Sequence, residues 1–195
     1  MAIIEDGASG RTARVNTDNT LSVHSITISE AEHATDLGQS YNINTGTVTL
    51  TTAGVSGVLY FKNNEDINIH VDHIIILLGN TTGGATTDST TIKVLSNPTA
   101  GTVISGATDA DMIQNRNVGA SSTLDADVYK GAEGNTFTDG DEMVGSLLSP
   151  GTRAAFVLDI TIPKGKAIGV TIEPNDSNTS MKVMVALVCH IEPVL

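Results

Sequence analysis

The stretch AAFVLDITIPKGKAIGVTIEP, from Ala154 to Pro174, decides the reading of the fold. Its first half runs largely apolar-polar with period two, PKGK turns the chain, and AIGVTI brings it back. Period two sets one face of a strand against a core and the other toward solvent, so the stretch predicts a hairpin. Downstream, PNDSN at 174–178 is a polar turn. SMKVMVALVCHI at 180–191 is then a long closing strand with Val183, Val185, Leu187 and Cys189 on one face. Upstream the signal recurs in TVTLTT (47–52), VLYFK (58–62), INIHVDHIIILL (67–78) and TTIKVL (90–95), and more briefly in TVIS (102–105). Turns rich in Gly, Asn, Asp and Pro separate these runs. The run at 67–78 alternates first and is then apolar throughout, which suggests a strand passing from a one-sided to a two-sided environment. Seven or eight short strands without a helix longer than two turns make a two-sheet sandwich. Long first and last strands, paired over large sequence separations, favour a jelly roll over an up-and-down barrel. The fold class is therefore all-β, a jelly-roll-like β-sandwich.

Composition agrees and narrows the function. The 195 residues include 26 Thr, 19 Gly and 15 Ser, no Trp, and only 3% aromatics. Charged residues reach 16%, below the about 25% typical of soluble domains. Twenty-two acidic side chains against 10 basic ones leave a net charge of −12, which argues against nucleic acid as a partner. One cysteine, Cys189, excludes an intramolecular disulfide and a thiolate metal cage. The apolar run from Ile74 to Leu78 is too short to cross a bilayer, so no membrane partner is expected. Residues 1–20 hold no apolar h-region of the kind a secretory signal carries.

Two segments depart from the strand pattern. Residues 1–40 have no sustained periodicity and read as an extended N-terminal arm ahead of a sandwich over 41–195. Within the arm, Leu21, Val23, Ile26 and Ile28 form a short strand-like patch, and Ser29-Glu30-Ala31-Glu32 opens one helical turn. Arg11 and Arg14 are a basic pair at the front of an acidic chain, either solvated or anchored in an acidic groove of a partner. Residues 106–150 are irregular and acidic, and read as a long insertion with one or two short elements. So long a connection is either functional or conceals a strand.

Constellations for chemistry are sparse. His70 and His73 bracket Asp72, but i and i+3 on a regular strand face opposite ways, so the two imidazoles do not close on one ion. His70 and Asp72 share a face, a two-ligand fragment without a third. The pairs Asp109/Asp111, Asp125/Asp127 and Asp139/Asp141 resemble the opening of a calcium loop. The Gly needed at the sixth position is instead Gln114, Lys130 or Val144. A different calcium geometry stays open beside the reading as solvated loop carboxylates. GVSG at 54–57 is not a nucleophile elbow, and Cys189 and His190 face opposite sides of one strand. No phosphate-binding Gly-rich loop is present. The expectation is a non-enzyme with no catalytic residues, no metal and no cofactor.

Several stretches carry a wider likeness: GRTARVNTDNTLSVHSIT (10–27), QSYNINTGTVTLT (39–51), YFKNNEDINIHVDHIIILLG (60–79), NPTAGTVIS (97–105), NRNVGASSTLDADVYKGAEGNTFTDGDE (115–142) and NTSMKVMVALVCHI (178–191). In these the chain resembles virion structural proteins of tailed bacteriophages, specifically small capsid decoration (cement) proteins. The resemblance implies a sandwich or jelly-roll homotrimer on the outer surface of the capsid, made in the host cytoplasm. It implies the major capsid protein as partner, with arms reaching neighbouring subunits. Arg11, Arg14, Leu21, Val23, Ile26 and Ile28 are then the candidate partner-binding residues. Tail, baseplate and head-fibre proteins share the style, so a receptor-binding protein with a carbohydrate-binding sandwich is the alternative. A cupin-type enzyme is the third class, for which His24, His33 and His190 are poorly placed.

Overall fold

The computed structural model describes residues 29–51, 54–81, 89–106, 113–175 and 180–192, together with short backbone strands at 3–5, 12–15, 21–22 and 108–109. Fifteen strands and two short helices make up the described elements. At the front, β1 (Ile3–Glu5), β2 (Thr12–Val15) and β3 (Leu21–Ser22) form a three-stranded antiparallel sheet of their own. Helix α1 (Glu30–Asp36) follows, then β4 (Ser40–Asn44), β5 (Val48–Leu50), β6 (Ser56–Asn63), β7 (Ile69–Leu78) and β8 (Thr90–Ser96). After helix α2 (Thr102–Gly106) come β9 (Thr108–Asp109), β10 (Ile113–Asn115), β11 (Ala126–Lys130) and β12 (Asp141–Leu148). The chain closes with β13 (Arg153–Ile162), β14 (Ala167–Pro174) and β15 (Met181–Ile191).

Two six-stranded antiparallel sheets result. The first runs β10-β4-β15-β7-β13, with β5 also on β15, and the second runs β12-β8-β14-β6-β11-β9. Set aside the short strands, and β4-β15-β7-β13 faces β12-β8-β14-β6. Apart from β8 and β12, which pair within one sheet, successive strands cross between sheets, so that the first and last lie side by side. That order is two nested Greek keys, a jelly roll. The hairpin expected at 154–172 instead joins the two sheets, since β13 pairs with β7 and β14 with β6 and β8. Its turn is a crossover between layers, which local alternation does not distinguish from a hairpin.

The core lies between the sheets. Ile69, Val71, Ile74, Ile76 and Leu78 of β7, with Val183, Val185, Leu187 and Cys189 of β15, meet Phe61, Ile92, Val94, Ile168, Val170 and Ile172 opposite. Each large apolar side chain so buried contributes roughly 1.5–3 kcal/mol, and nearly all of these are wholly inaccessible. Strand β6 is buried on both faces, because α2 and residues 131–138 cover its outer side through Val103 and Phe137 around Tyr60. The approach is close at Gly131, where an added Cβ would sit 1.8 Å from the Gly57 carbonyl oxygen.

Three expectations change. Residues 102–105 form α2 rather than a strand, because Val103 must turn inward onto the Gly57 backbone. Residues 106–150 are no irregular insertion: they contain β9, β10, β11 and the eight-residue β12, a full member of the jelly roll. Strand β12 escaped detection because its inward positions include Ser146, while its outward ones hold Met143 and Leu147. Finally, the boundary at residue 40 is too late. Ala34 of α1 is buried, the Ile191 amide donates to the Gln39 carbonyl at 2.8 Å, and the Arg116 amide donates to the Ser40 carbonyl at 2.8 Å. Residues 29–40 thus belong to the sandwich, and Ser29 caps α1 by accepting from the Glu32 amide.

Candidate functional site

The densest set of titratable groups lies on the outer face of the first sheet. A β-bulge places it there. Val71 pairs with Cys189 and His73 with Val188, adjacent residues of β15, so Asp72 is an extra residue in β7. The bulge cancels the alternation expected from the spacing, and His70 and His73 leave the sheet on the same outer face. His190 lies opposite His70, and the rings stack with centroids 5.3 Å apart. Asp72 Oδ1 is 3.1 Å from His190 Nδ1, without hydrogen-bond alignment, and Glu30 Oε1 of α1 is 3.8 Å from His190 Nε2. Glu192 Oε2 lies 3.7 Å from His70 Nε2, and the Thr161 hydroxyl is 3.2 Å from His70 Nδ1. His190 is only 5% exposed. The group pins the first turn of α1 to β15 and β7. Among the described residues, no three His, Cys, Asp or Glu side chains are arranged to hold a metal ion.

Cys189 points inward, opposite Val71, while His190 points outward. Burial, reinforced by the Asp72 charge, pushes the Cys189 thiol far above its ordinary range. The protonated thiol is a poor nucleophile. An aromatic disulfide reagent is expected to leave Cys189 unmodified in the native protein and to react with it fully once the chain is unfolded in denaturant.

The acidic pairs serve the loops. Asp139 accepts hydrogen bonds from the amides of Thr99 (2.8 Å) and Ala100 (3.0 Å) and from the Thr99 hydroxyl. These bonds hold its carboxyl below the usual aspartate range, the Thr99 hydroxyl foremost. A carboxyl with a depressed folded pKa keeps its contribution above the unfolded value and loses it as pH falls through the folded one. The Thr99 and Ala100 amides are therefore expected to stay protected from exchange at pH 4 to 5 and to lose protection only in stronger acid. Asp127 pairs with Lys62 at 3.2 Å and accepts from Asn64. Asp109 lies in β9, Asp141 opens β12, and Asp111 lies outside the described residues.

Of the arm residues, Arg14 lies in β2 opposite Ile3 and Ser22, and Leu21 lies in β3 opposite Val15. Arg11, Val23, Ile26 and Ile28 lie outside the described residues. The tyrosines divide. Tyr41 is buried and donates to the Gly38 carbonyl. Tyr60 and Tyr129 stack at 5.6 Å beside an open cleft of about 350 Å³ that Lys62, Asn97, Thr99 and Asp127 also line. Tyr60 is only 5% exposed, so it offers no free ring face to a sugar.

A further surface was not anticipated from the sequence: the side of the sandwich where β12 and β13 are the outermost strands. Leu147 is 65% exposed there and Val157 84%. The signal was present in Ala154-Ala-Phe-Val-Leu158, where the solvent-facing positions 155 and 157 are apolar instead of polar.

No protein-family model matches the chain, and no curated protein matches it. Among solved structures, the crystal structure of the Yersinia pseudotuberculosis-derived mitogen shares 14% identity over 74% of this chain and 83% of that one, with a TM-score of 0.37. The structure of infectious bursal disease virus Gt strain shares 11% identity over 80% of this chain and 41% of that one, with a TM-score of 0.15. Superpositions this loose carry no functional argument.

Proposed function

We propose that this chain is a non-enzymatic structural protein of a phage particle. In this reading it decorates the outer surface of the capsid as a homotrimer and binds between major capsid subunits through the segment ahead of Ser29. The observation that carries the reading is the jelly-roll strand order, an architecture used by viral capsid proteins, lectins and cupins. The other two uses fit this chain less well. A cupin site gathers His and carboxylate inside the sandwich, whereas His70, His73 and His190 lie on its outer face and the interior is apolar. A lectin platform presents a free aromatic face, and Tyr60 is covered. Residues 1–28, whose strands pair with one another, suit an attachment device that engages a second surface. The second reading, a receptor-binding tail or head-fibre protein, draws on the cleft beside Tyr129. Quantitative mass spectrometry of purified particles, with antibody labelling of intact heads, tests the proposal. The expected result is a copy number comparable to the major capsid subunit and label on the outside of the head. Label confined to tails would favour the second reading.

A further inference from the structure

We infer that copies of this chain join through the β12/β13 side of the sandwich, the β12 edge of one copy meeting the β13 edge of the next, to close a ring of three or more. The inference deepens the proposed trimer by naming its surface, and its structural argument is independent of the capsid.

An unpaired edge strand is a template for association, and proteins blunt such edges with very short strands, Pro, charged residues such as Lys, or β-bulges. The opposite side of this sandwich is blunted: its outermost strands are β9, two residues long, and β10, three residues long. The β12/β13 side is blunted less, by one bulge in each strand, at Met143 in β12 and at Leu158-Asp159 in β13. Strands of eight and ten residues end the two sheets there, and neither contains a Lys or a Pro. No described strand pairs with their outer edges.

The core itself is open on this side. Val144 pairs with Val94 and Phe156 with Ile74, so both point inward, yet each stays only half-buried while its partner is wholly buried. Leu148, Leu158 and Ile160 pack on the core with the same partial cover. A cleft of about 240 Å³ opens between Met143, Ile160, Ile162 and Ile168. Contiguous apolar surface of this kind marks an interaction site.

Charge order says what fills it. Strand β12 begins with Asp141 and Glu142 and ends in Leu147 and Leu148, while β13 is apolar from Ala154 to Leu158 and leads into Lys164 and Lys166. Within one copy Glu142 pairs with Lys93 and Lys164 with Asp66, so the charges left for a partner are Asp141 and Lys166. Laid antiparallel, β12 of one copy sets Asp141 beside Lys166 of the next and its leucines beside the apolar half of β13. Each copy then offers two unlike edges, and when each edge meets a different neighbour the contact is heterologous and closes as a ring.

Light scattering with sedimentation velocity on the full chain tests this, with Val157→Lys and Leu147→Glu as variants. Val118→Lys, at a 98% exposed residue just beyond β10, is the control. The expected result is three or more chain masses for the parent and the control. Each edge variant should dissociate at least about tenfold more readily while keeping its circular dichroism spectrum. Hydrogen exchange on the unmodified chain needs no variant: the outward amides of β12 and β13 should be protected at high concentration and exposed on dilution. A monomeric parent overturns the inference. So does a dimer, in which β12 of each copy would meet β13 of the other across one two-fold axis, or edge variants that assemble as the parent does. If residues 1–28 of the same chain cover this side instead, the full chain is monomeric and its truncation assembles, which also overturns it. Whether the ring binds a capsid is read separately, from particle occupancy.

Discussion

Removing residues 1–28 is expected to abolish attachment to particles while leaving the sandwich folded. The cut falls before Ser29, so α1 keeps its cap and Ala34 stays buried against the first sheet. The melting temperature should move by no more than a few degrees. Cutting at residue 40, where composition alone draws the boundary, should behave differently. It removes the carbonyls that accept from the Ile191 and Arg116 amides, and Gly38, whose carbonyl accepts from Tyr41, Asn115 and Ser122. Buried donors left without acceptors cost about 1–3 kcal/mol each, and two or three such losses lower the melting temperature by roughly 10 °C. Thermal unfolding of the two truncations, with occupancy on particles stripped of the protein, separates the effects. Full occupancy by the shorter truncation would show that attachment lies elsewhere.

The second large effect concerns the core. Phe61 sits in the middle of β6, wholly buried between the sheets and paired across from Ile168. Phe61→Ala removes a ring that close-packed neighbours cannot replace and should cost about 3–5 kcal/mol. Domain stabilities are typically about 5–15 kcal/mol, so this is a third or more of the total. Val118→Ala, at an exposed position just beyond β10, should cost well under 1 kcal/mol by comparison. Equal losses at the two sites in urea titration would mean that the sandwich interior is not where stability resides.

The sandwich was legible because β15 carries apolar residues at alternate positions over most of its eleven residues, and β7 does so on either side of its bulge. Nothing competes with that signal. The edges were less legible for the same physical reason that makes them edges: β12 and β13 are half-covered, so selection for clean alternation is relaxed. Crossing between layers is invisible to local pattern, which is why β13 and β14 read as a hairpin. The outer face carrying His70, His73 and His190 depended on a bulge at Asp72. A bulge adds one residue with no compositional mark, so the spacing rule sent His73 to the wrong side. The arm boundary failed because α1 is short and docks through the small residue Ala34, which creates no periodic pattern.

The most direct test of the account is a cryo-electron microscopy map of the purified particle at a resolution that resolves strands. The account expects jelly-roll density on the outside of the head, in threefold clusters joined along their β12/β13 sides, with residues 1–28 running down between major capsid subunits. Density for this chain only on the tail, or single copies with that side turned to solvent, would contradict it.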